Sequence, residues 1–316
     1  MVISRQVGLG SRSAALLSEP MNRQDSDLVP PKEIGWRPQG RHLNLPVEVL
    51  ERSDVLGRIE AREISSRERV QFHQLLICTG GDGTHIVDFE PMPLVRGTIQ
   101  RIYPGQVQQY VTEGPVDVIM VIWPSDSDRA DPELPPWYPG SGAATHWAVD
   151  DVTLAKVIEW GAVLRVEQAA FDGSARRVAL MRSLLRTFLL RIALELPAGT
   201  SSGEPPPQAY IDFRVAMERQ LHERPTVTSL ALALGYSTRT LDRACVEASG
   251  HTAKYLLDER VALEVRRLLT YSNRSVAQIA TSLGFADASN FSKFVKRQLG
   301  EGPLEIRAAG TAAENS

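Results

Sequence analysis

The chain has 316 residues, 43% of them apolar, and a formal net charge of −3. That length exceeds one small core and predicts two or three folded units, while the near-neutral balance excludes a globally basic nucleic-acid binder, so any such contact must come from a local patch. Cys78 and Cys245 stand at no zinc-ligand spacing and read as packing residues in a reducing compartment, not as disulfide or metal partners.

No apolar run of signal-peptide length opens the chain, and the longest apolar stretch, VIMVIW at 118–123, is too short to span a bilayer. A soluble, cytoplasmic protein without a membrane partner is expected. Residues 1–40 mix Ser, Arg, Pro and Gly without a period and read as a loose arm. From 47 to 123, short β-rich runs alternate with turn signals: HQLLIC, GGDG, THIVDF, RGTIQRIY, PGQ and VDVIMVIW. Regular short strands between Gly and Pro turns suggest a small antiparallel barrel or sandwich. A long loop is expected over 125–142. Helices are expected over about 150–171 and 174–196. The second, RRVALMRSLLRTFLLRIALEL, is apolar over more than half its surface, which fits packing on the β unit and fits a dimer seam equally well.

PAGTSSGEPPP, 197–207, reads as a linker that tethers two units without fixing their angle. Beyond it every pattern is helical. Residues 208–316 carry fourteen Lys and Arg against twelve Asp and Glu, a net of +2, whereas the part before 208 carries 21 against 26, a net of −5. The helical part is the more basic one.

That part contains an internal repeat. LALALGY, 230–236, and IATSLGF, 279–285, share the form apolar-Ala-x-x-Leu-Gly-aromatic, 49 residues apart. In each copy a small residue, Ala231 or Ala280, admits a second helix, and a glycine, Gly235 or Gly284, takes the positive φ that ends the first. Tyr236 or Phe285 closes the corner, and Ser237 or Asp287 caps the next helix. This is a helix-turn-helix pattern, twice. Leu230, Ala231, Leu234, Leu241, Ile279, Leu283, Phe291 and Phe294 read as core. Between the copies, residues 252–272 form one long helix begun by a Thr252 cap; its length of about 30 Å is close to the ~34 Å between successive major-groove faces of B-DNA.

These residues resemble the AraC/XylS family of transcription regulators. The stretches LALALGYSTRTLDRACVEASGHTAKYLLDERVALEVRRLL and SVAQIATSLGFADASNFSKFVKRQLGEGPLEIR are similar to its twin helix-turn-helix domain over roughly the last hundred residues. Gly302 departs from it, standing where Ser or Thr usually precedes the proline and so weakening a cap; Asp242 on the first recognition helix is a second departure. The resemblance places base-reading positions at Arg239, Asp242 and Arg243 in the first helix and at Ala288, Ser289, Asn290 and Lys293 in the second. Arg suits guanine and Asp can accept from cytosine, while Asn290 suits adenine and Ala288 a thymine methyl. Asp242 as an ion-pair partner of its neighbouring arginines, and Lys293 as a phosphate contact, remain open. Thr240, Arg274, Ser292, Lys296 and Arg297 are the phosphate candidates.

Residues 73–111 resemble the family's effector half, a cupin-type β-barrel, through the GxGTH-x-x-DF run, the Gly97 turn and PGQV at 104–107. The positions where a cupin enzyme carries metal-binding histidines are Glu68, Val70 and Gln108, which do not make a divalent site. His73, His85, Gln108, Tyr110 and Trp123 are the effector-contact candidates, though alternation leaves open which of them face inward. The architecture implied is α+β. A flexible arm (1–40) precedes a cupin-like antiparallel barrel (41–149), a helical dimerisation segment (150–196), the linker (197–207) and the double helix-turn-helix domain (208–310). The function implied is a sequence-specific, effector-responsive activator, probed against a cupin-type metalloenzyme with a DNA-binding tail. Double-stranded promoter DNA, a small organic effector, RNA polymerase and a second copy of the chain are the partners, the nucleoid is the location, and no cofactor or metal is expected.

Overall fold

A computed structural model describes residues 31–35, 38, 43–57, 66–125, 145–196 and 206–314. The arm before 31, most of the loop expected at 125–142 and linker residues 197–205 lie outside the described residues.

Strand alternation builds the first half. One five-stranded sheet runs in the order β1 (Lys32–Ile34), β3 (Glu68–Val70), β8 (Val107–Val111), β5 (Thr84–Val87), β6 (Glu90–Pro93). The other runs β10 (His146–Ala148), β7 (Thr98–Ile102), β4 (Phe72–Gly80), β9 (Asp117–Pro124), β2 (Glu48–Glu51). Along β4, Phe72, Leu76 and Cys78 enter the core between the sheets, whereas Leu75 and Ile77 enter the core under the helices. β9 repeats the rule with Val118 and Ile122 against Val121 and Trp123.

Two expectations are corrected. Each sheet keeps its own edge strands, so the described residues form a two-sheet sandwich and not a closed barrel, and β1 pairs with β3 in parallel. Part of the supposed arm, Lys32–Ile34, is therefore a strand. Its two exposed charged residues, Lys32 and Glu33, beside the half-buried Ile34 suit a sheet edge.

Helices α2 (Asp151–Ala169) and α3 (Ala175–Glu195) cover the outer face of the second sheet, after the short α1 (Arg52–Leu56). Asp150 caps α2 by accepting Thr153 N at 2.7 Å, and Ser174 caps α3 by accepting Arg177 N at 3.3 Å. The wide apolar coverage of α3 is used internally: Met181, Leu185, Phe188, Leu189 and Ile192 are buried in one core with Leu75, Ile77 and Trp123.

The second half is helical: α4 (Gln208–Gln220), a 3-10 turn (Leu221–Glu223), α5 (Val227–Leu234), α6 (Thr238–Ser249), α7 (Ala253–Tyr271), α8 (Val276–Ser282), α9 (Ala288–Leu299) and α10 (Pro303–Glu314). One hydrophobic core joins them, with Phe213, Leu230, Leu241, Val265, Ile279 and Phe291 fully buried; each such side chain contributes about 1.5–3 kcal/mol of transfer free energy.

The halves are in contact through α7, contrary to the expectation of two units free to choose their angle. The turn between β5 and β6 is two residues long, Asp88 and Phe89, both at positive φ (49° and 78°). Such a turn suits the hairpin twist but strains non-glycine residues, and phenylalanine most. Contacts with α7 hold it. Arg267 donates to both Asp88 oxygens, Nε at 2.7 Å and Nη2 at 2.5 Å. Phe89 stacks on Tyr271 at 5.0 Å, with Arg266 4.3 Å from its ring centre. Glu264, 1% exposed, accepts from Arg267 Nη1 at 3.1 Å and from Arg69 of β3. Burial raises the Glu264 pKa, but Arg260, Arg267 and Arg69 outweigh it and hold the carboxyl at about 2.

Candidate nucleic-acid interface

Each copy of the repeat is built as its spacing requires. α5 ends at Gly235 (φ 72°), the turn after α8 passes through Gly284 (φ 69°), and α6 and α9 end at Gly250 (φ 75°) and Gly300 (φ 81°). Ser237 accepts Thr240 N at 3.0 Å and Asp287 accepts Asn290 N at 2.7 Å, so both caps form where expected. Thr252 caps α7 through Tyr255 N at 3.2 Å. At Gly302 the backbone N–H is taken by the Glu305 carboxylate at 2.7 Å, half of a capping box that offsets the missing hydroxyl.

The corners differ in how tightly they pack. Tyr236 reaches past its turn to donate its hydroxyl to Asp212 at 2.8 Å, while Phe285 meets Phe291 and Phe294 edge-on at 5.0 and 5.3 Å. Arg224, at φ 51°, lays its guanidinium over Phe285 at 3.4 Å and ties the start of the first copy to the corner of the second. Nothing local in the sequence marks that contact.

α6 and α9 bury one face each, Leu241, Ala244 and Cys245 in the first and Phe291, Phe294 and Val295 in the second. Burial pushes the Cys245 thiol up to about 12, in keeping with a packing role. The other faces are open: Arg239, Arg243, Ala288, Ser289, Asn290 and Lys293 are all exposed. Leu230, Ala231, Leu241, Ile279, Leu283, Phe291 and Phe294 are buried and Leu234 is half-buried against the same core.

Asp242 behaves differently from its assignment as a base reader. It is half-buried and accepts the backbone N–H of Ala253 at 3.0 Å, satisfying a free amide in the first turn of α7. It pairs with neither Arg239 nor Arg243. Asn290 donates one N–H of its side-chain amide to Asp287 at 2.7 Å, and the second N–H and the oxygen are the groups an adenine edge would meet. Among the phosphate candidates, Lys296 and Arg297 are exposed, the latter 3.8 Å from Asp258. Thr240 shares a 2.8 Å hydrogen bond with Ser237, and Ser292 donates to Ala288 O at 2.9 Å. Arg274 is exposed on the loop before α8, where its carbonyl accepts from Arg307 Nη2 at 2.5 Å.

The effector candidates divide into two groups. Gln108 and Tyr110 line a cavity of about 650 Å³ between the two sheets, and His85 stands behind them, stacked on Tyr110 at 4.3 Å. His85 Nδ1 lies 2.5 Å from Gln100 Oε1 and Nε2 lies 3.2 Å from Gln108 Oε1. Burial holds the His85 pKa down at about 4 and pushes that of Tyr110 well above the usual phenol range. His73 and Trp123 sit on the far side of the second sheet, stacked on each other at 5.6 Å, with Arg101 4.0 Å above the indole. They do not share the cavity. Odd-numbered β4 and β9 residues face away from the interior that Gln74 and Met120 line. Glu68 and Gln108 are register partners across β3 and β8, and no group of three or more His, Cys, Asp or Glu that could hold a metal occurs among the described residues.

The helix-turn-helix domain family matches residues 230–309. The chain is similar to the HTH-type transcriptional activator RhaS of Escherichia fergusonii, 26% identical over 247 residues that cover 77% of this chain and 87% of that protein. Against RhaS of Salmonella typhimurium it is 25% identical over 246 residues, 75% and 85% of the two chains. The crystal structure of ToxT from Vibrio cholerae O395 aligns over 75% of this chain and 88% of that one at 13% identity, with a TM-score of 0.39, too low to bear weight. No helix among the described residues is long and apolar enough to cross a membrane.

Proposed function

We propose that the chain is a DNA-binding transcription regulator of the AraC/XylS family, an effector-responsive activator whose two reading helices, α6 and α9, grip successive major-groove faces of one promoter. The observation that carries this is the duplicated reader. Two capped helices pack their apolar faces on the 19-residue α7 and leave Arg239, Arg243, Ser289 and Lys293 exposed. At about 1.5 Å per residue α7 spans about 28 Å, near the spacing of adjacent groove faces. Arg239 and Arg243 supply the guanine-reading forks; Lys293, Lys296 and Arg297 supply positive charge to the backbone.

The sandwich, cupin-like in its small cavity, is the sensor, and the Asp88–Phe89 turn is the coupling element. β5 carries His85 behind the cavity wall and, three residues on, Asp88 in the ion pairs with α7. A ligand that shifts β5 therefore acts on the helix joining both readers, by no more than its difference in affinity for the two arrangements. A second copy of the chain, joined through the helical layer of α2 and α3, and RNA polymerase complete the assembly. Exposed Val152, Val166 and Leu194 give that layer an apolar outer face.

The test is footprinting on the gene's own upstream region at stated salt. Arg243→Ala costs about 1–3 kcal/mol of specific binding and relaxes one base position, whereas Lys296→Ala weakens every duplex and lowers the salt slope by about one. Equal loss on all sequences from Arg243→Ala makes that residue a backbone contact and leaves Arg239 as the first copy's guanine reader.

A further inference from the structure

We propose that Arg224 is a positioning residue for DNA recognition: as a strut between the two copies of the repeat, it fixes the base-pair spacing at which α6 and α9 engage one duplex together. This rests on the reading of both helices as readers and names the residue that sets their register.

Arg224 closes the 3-10 turn after α4, its backbone N–H donating to the Leu221 carbonyl at 3.2 Å, and its own backbone is left-handed (φ 51°, ψ 62°). Glycine takes that conformation without strain and is the usual residue just past a helix end. A long side chain kept there at the cost of strain points to a use for that side chain. Its guanidinium lies 3.4 Å from the ring centre of Phe285 and 5.2 Å from that of Phe294, which are the corner and the reading helix of the second copy. The backbones are close as well: a Cβ at Gly284 would stand 2.9 Å from Arg224 Cβ and 3.4 Å from the Glu223 carbonyl oxygen. Two residues beyond Arg224, Thr226 caps α5 of the first copy by accepting Ser229 N at 3.0 Å. The strut therefore joins the entrance of one copy to the corner of the other without passing through α7.

The planar guanidinium suits this use, since it stacks on aromatic faces as an ammonium cannot. Its Nη1 is buried with no hydrogen-bond partner among the described residues, so the rings hold that end of the side chain. Elsewhere the copies leave room. A cleft of about 440 Å³ separates Thr226 and Asp242 of the first copy from Phe294 of the second, with Leu257 and Asp258 of α7 on its wall. Across open space no packed atoms resist a change of angle. On α7 each reader has its own attachment, Asp242 to Ala253 N at 3.0 Å and Gln298 Nε2 to Asp258 at 3.3 Å. Those bonds hold each copy to the long helix, whereas Arg224 holds one copy to the other.

One base pair inserted between two half-sites turns the far one by about 35° and moves it by about 3.4 Å. A rigid pair of readers matches one spacing and loses joint binding at the next; a loosened pair accepts several spacings at a lower effective concentration.

Fluorescence anisotropy of the full-length protein at fixed salt tests this. The duplexes carry the two protected half-sites at their natural spacing, with one base pair added or removed between them, or either half-site alone. The variants are Arg224→Gly, which suits the left-handed backbone, and Arg224→Asn, which tolerates it and is too short to reach the rings. Melting curves identify the folded variant if one of them is unstable. The parent is expected to bind the altered spacings at least about tenfold more weakly than the natural one. Each variant should bind single half-sites as the parent does, lose about five- to tenfold at the natural spacing, and differ by less than about threefold among spacings. A folded variant that keeps the parent's spacing preference overturns the strut and leaves the two readers intact. Single half-site binding that falls as far as paired binding also overturns it, because Arg224 then only supports the fold. A parent that binds the paired duplex no better than a single half-site removes the two-reader function, and the strut with it.

Discussion

Asp88→Asn perturbs the contact between the two halves most cleanly. The exchange keeps side-chain size, and asparagine tolerates positive φ, so the hairpin turn persists. What disappears is the charge facing Arg267, a guanidinium 2% exposed that donates to Asp88 at 2.7 and 2.5 Å. Breaking a buried pair costs about 3–5 kcal/mol when the survivor is left alone. Arg267 keeps Glu264 at 3.1 Å, and the asparagine oxygen still accepts, so about 2 kcal/mol is expected, roughly 30-fold in the balance between docked and released α7. Asp88 also accepts from Gln106 Nε2 at 2.7 Å and Val107 N at 3.1 Å within its own sheet, so the single variant mixes two effects. A double-mutant cycle with Arg267→Met isolates the pair, read by denaturant melts together with hydrogen exchange along α7. The expected coupling is about 2 kcal/mol, with faster exchange on α7 and unchanged exchange in β4. A coupling below about 0.5 kcal/mol, the level of an exposed ion pair, would refute the docking argument.

The two turn glycines should respond unequally to alanine. At Gly235 a Cβ meets open space and only the positive φ resists it, about 1 kcal/mol; at Gly284 it also comes within 2.9 Å of Arg224 Cβ, so about 2–3 kcal/mol is expected, and equal losses in urea melts would contradict this. Acid should destabilise the protein in two windows. His85 titrates at about 4 when folded and 6.5 when not, so the unfolded chain takes up the proton first and stability falls between pH 6.5 and 4, by up to roughly 3 kcal/mol. Glu264, at about 2 against 4.5, contributes stability above pH 4.5 that is lost toward pH 2. His85→Gln should flatten the upper window, and a flat profile from pH 7 to 4.5 in the parent protein contradicts the buried neutral imidazole. Asp242→Ala should cost about 1 kcal/mol of stability through the lost α7 cap and leave base preference unaltered in a selection experiment; a changed base would return it to the groove.

The twin reader was legible because its determinants are local. Gly235 and Ser237, their counterparts Gly284 and Asp287, and Thr252 between the copies act on helices that begin or end within a few residues of them, so spacing reports their geometry. The strands were legible for the same reason. What alternation could not say was which parity faced the cavity, and His73 and Trp123 fell on the wrong side of the second sheet. Closure of a barrel depends on pairing between distant edges, which no run of residues encodes. Asp242 looked like a reader because it lies beside Arg243; its partner is an amide eleven residues on, at the start of the next helix. The DF turn was conspicuous in the sequence only as part of a motif. Its use, against Arg267 and Tyr271 some 180 residues later, emerges only when the halves are seen together.

Two readers acting side by side on one duplex are the core of the proposed function. Hydroxyl-radical footprinting of the upstream region with the parent protein, Arg239→Ala and Lys293→Ala tests this directly. Two protected patches about one helical turn, ~10 base pairs, apart are predicted, the first weakened by Arg239→Ala alone and the second by Lys293→Ala alone. A single patch, or both patches fading together in either variant, would contradict it.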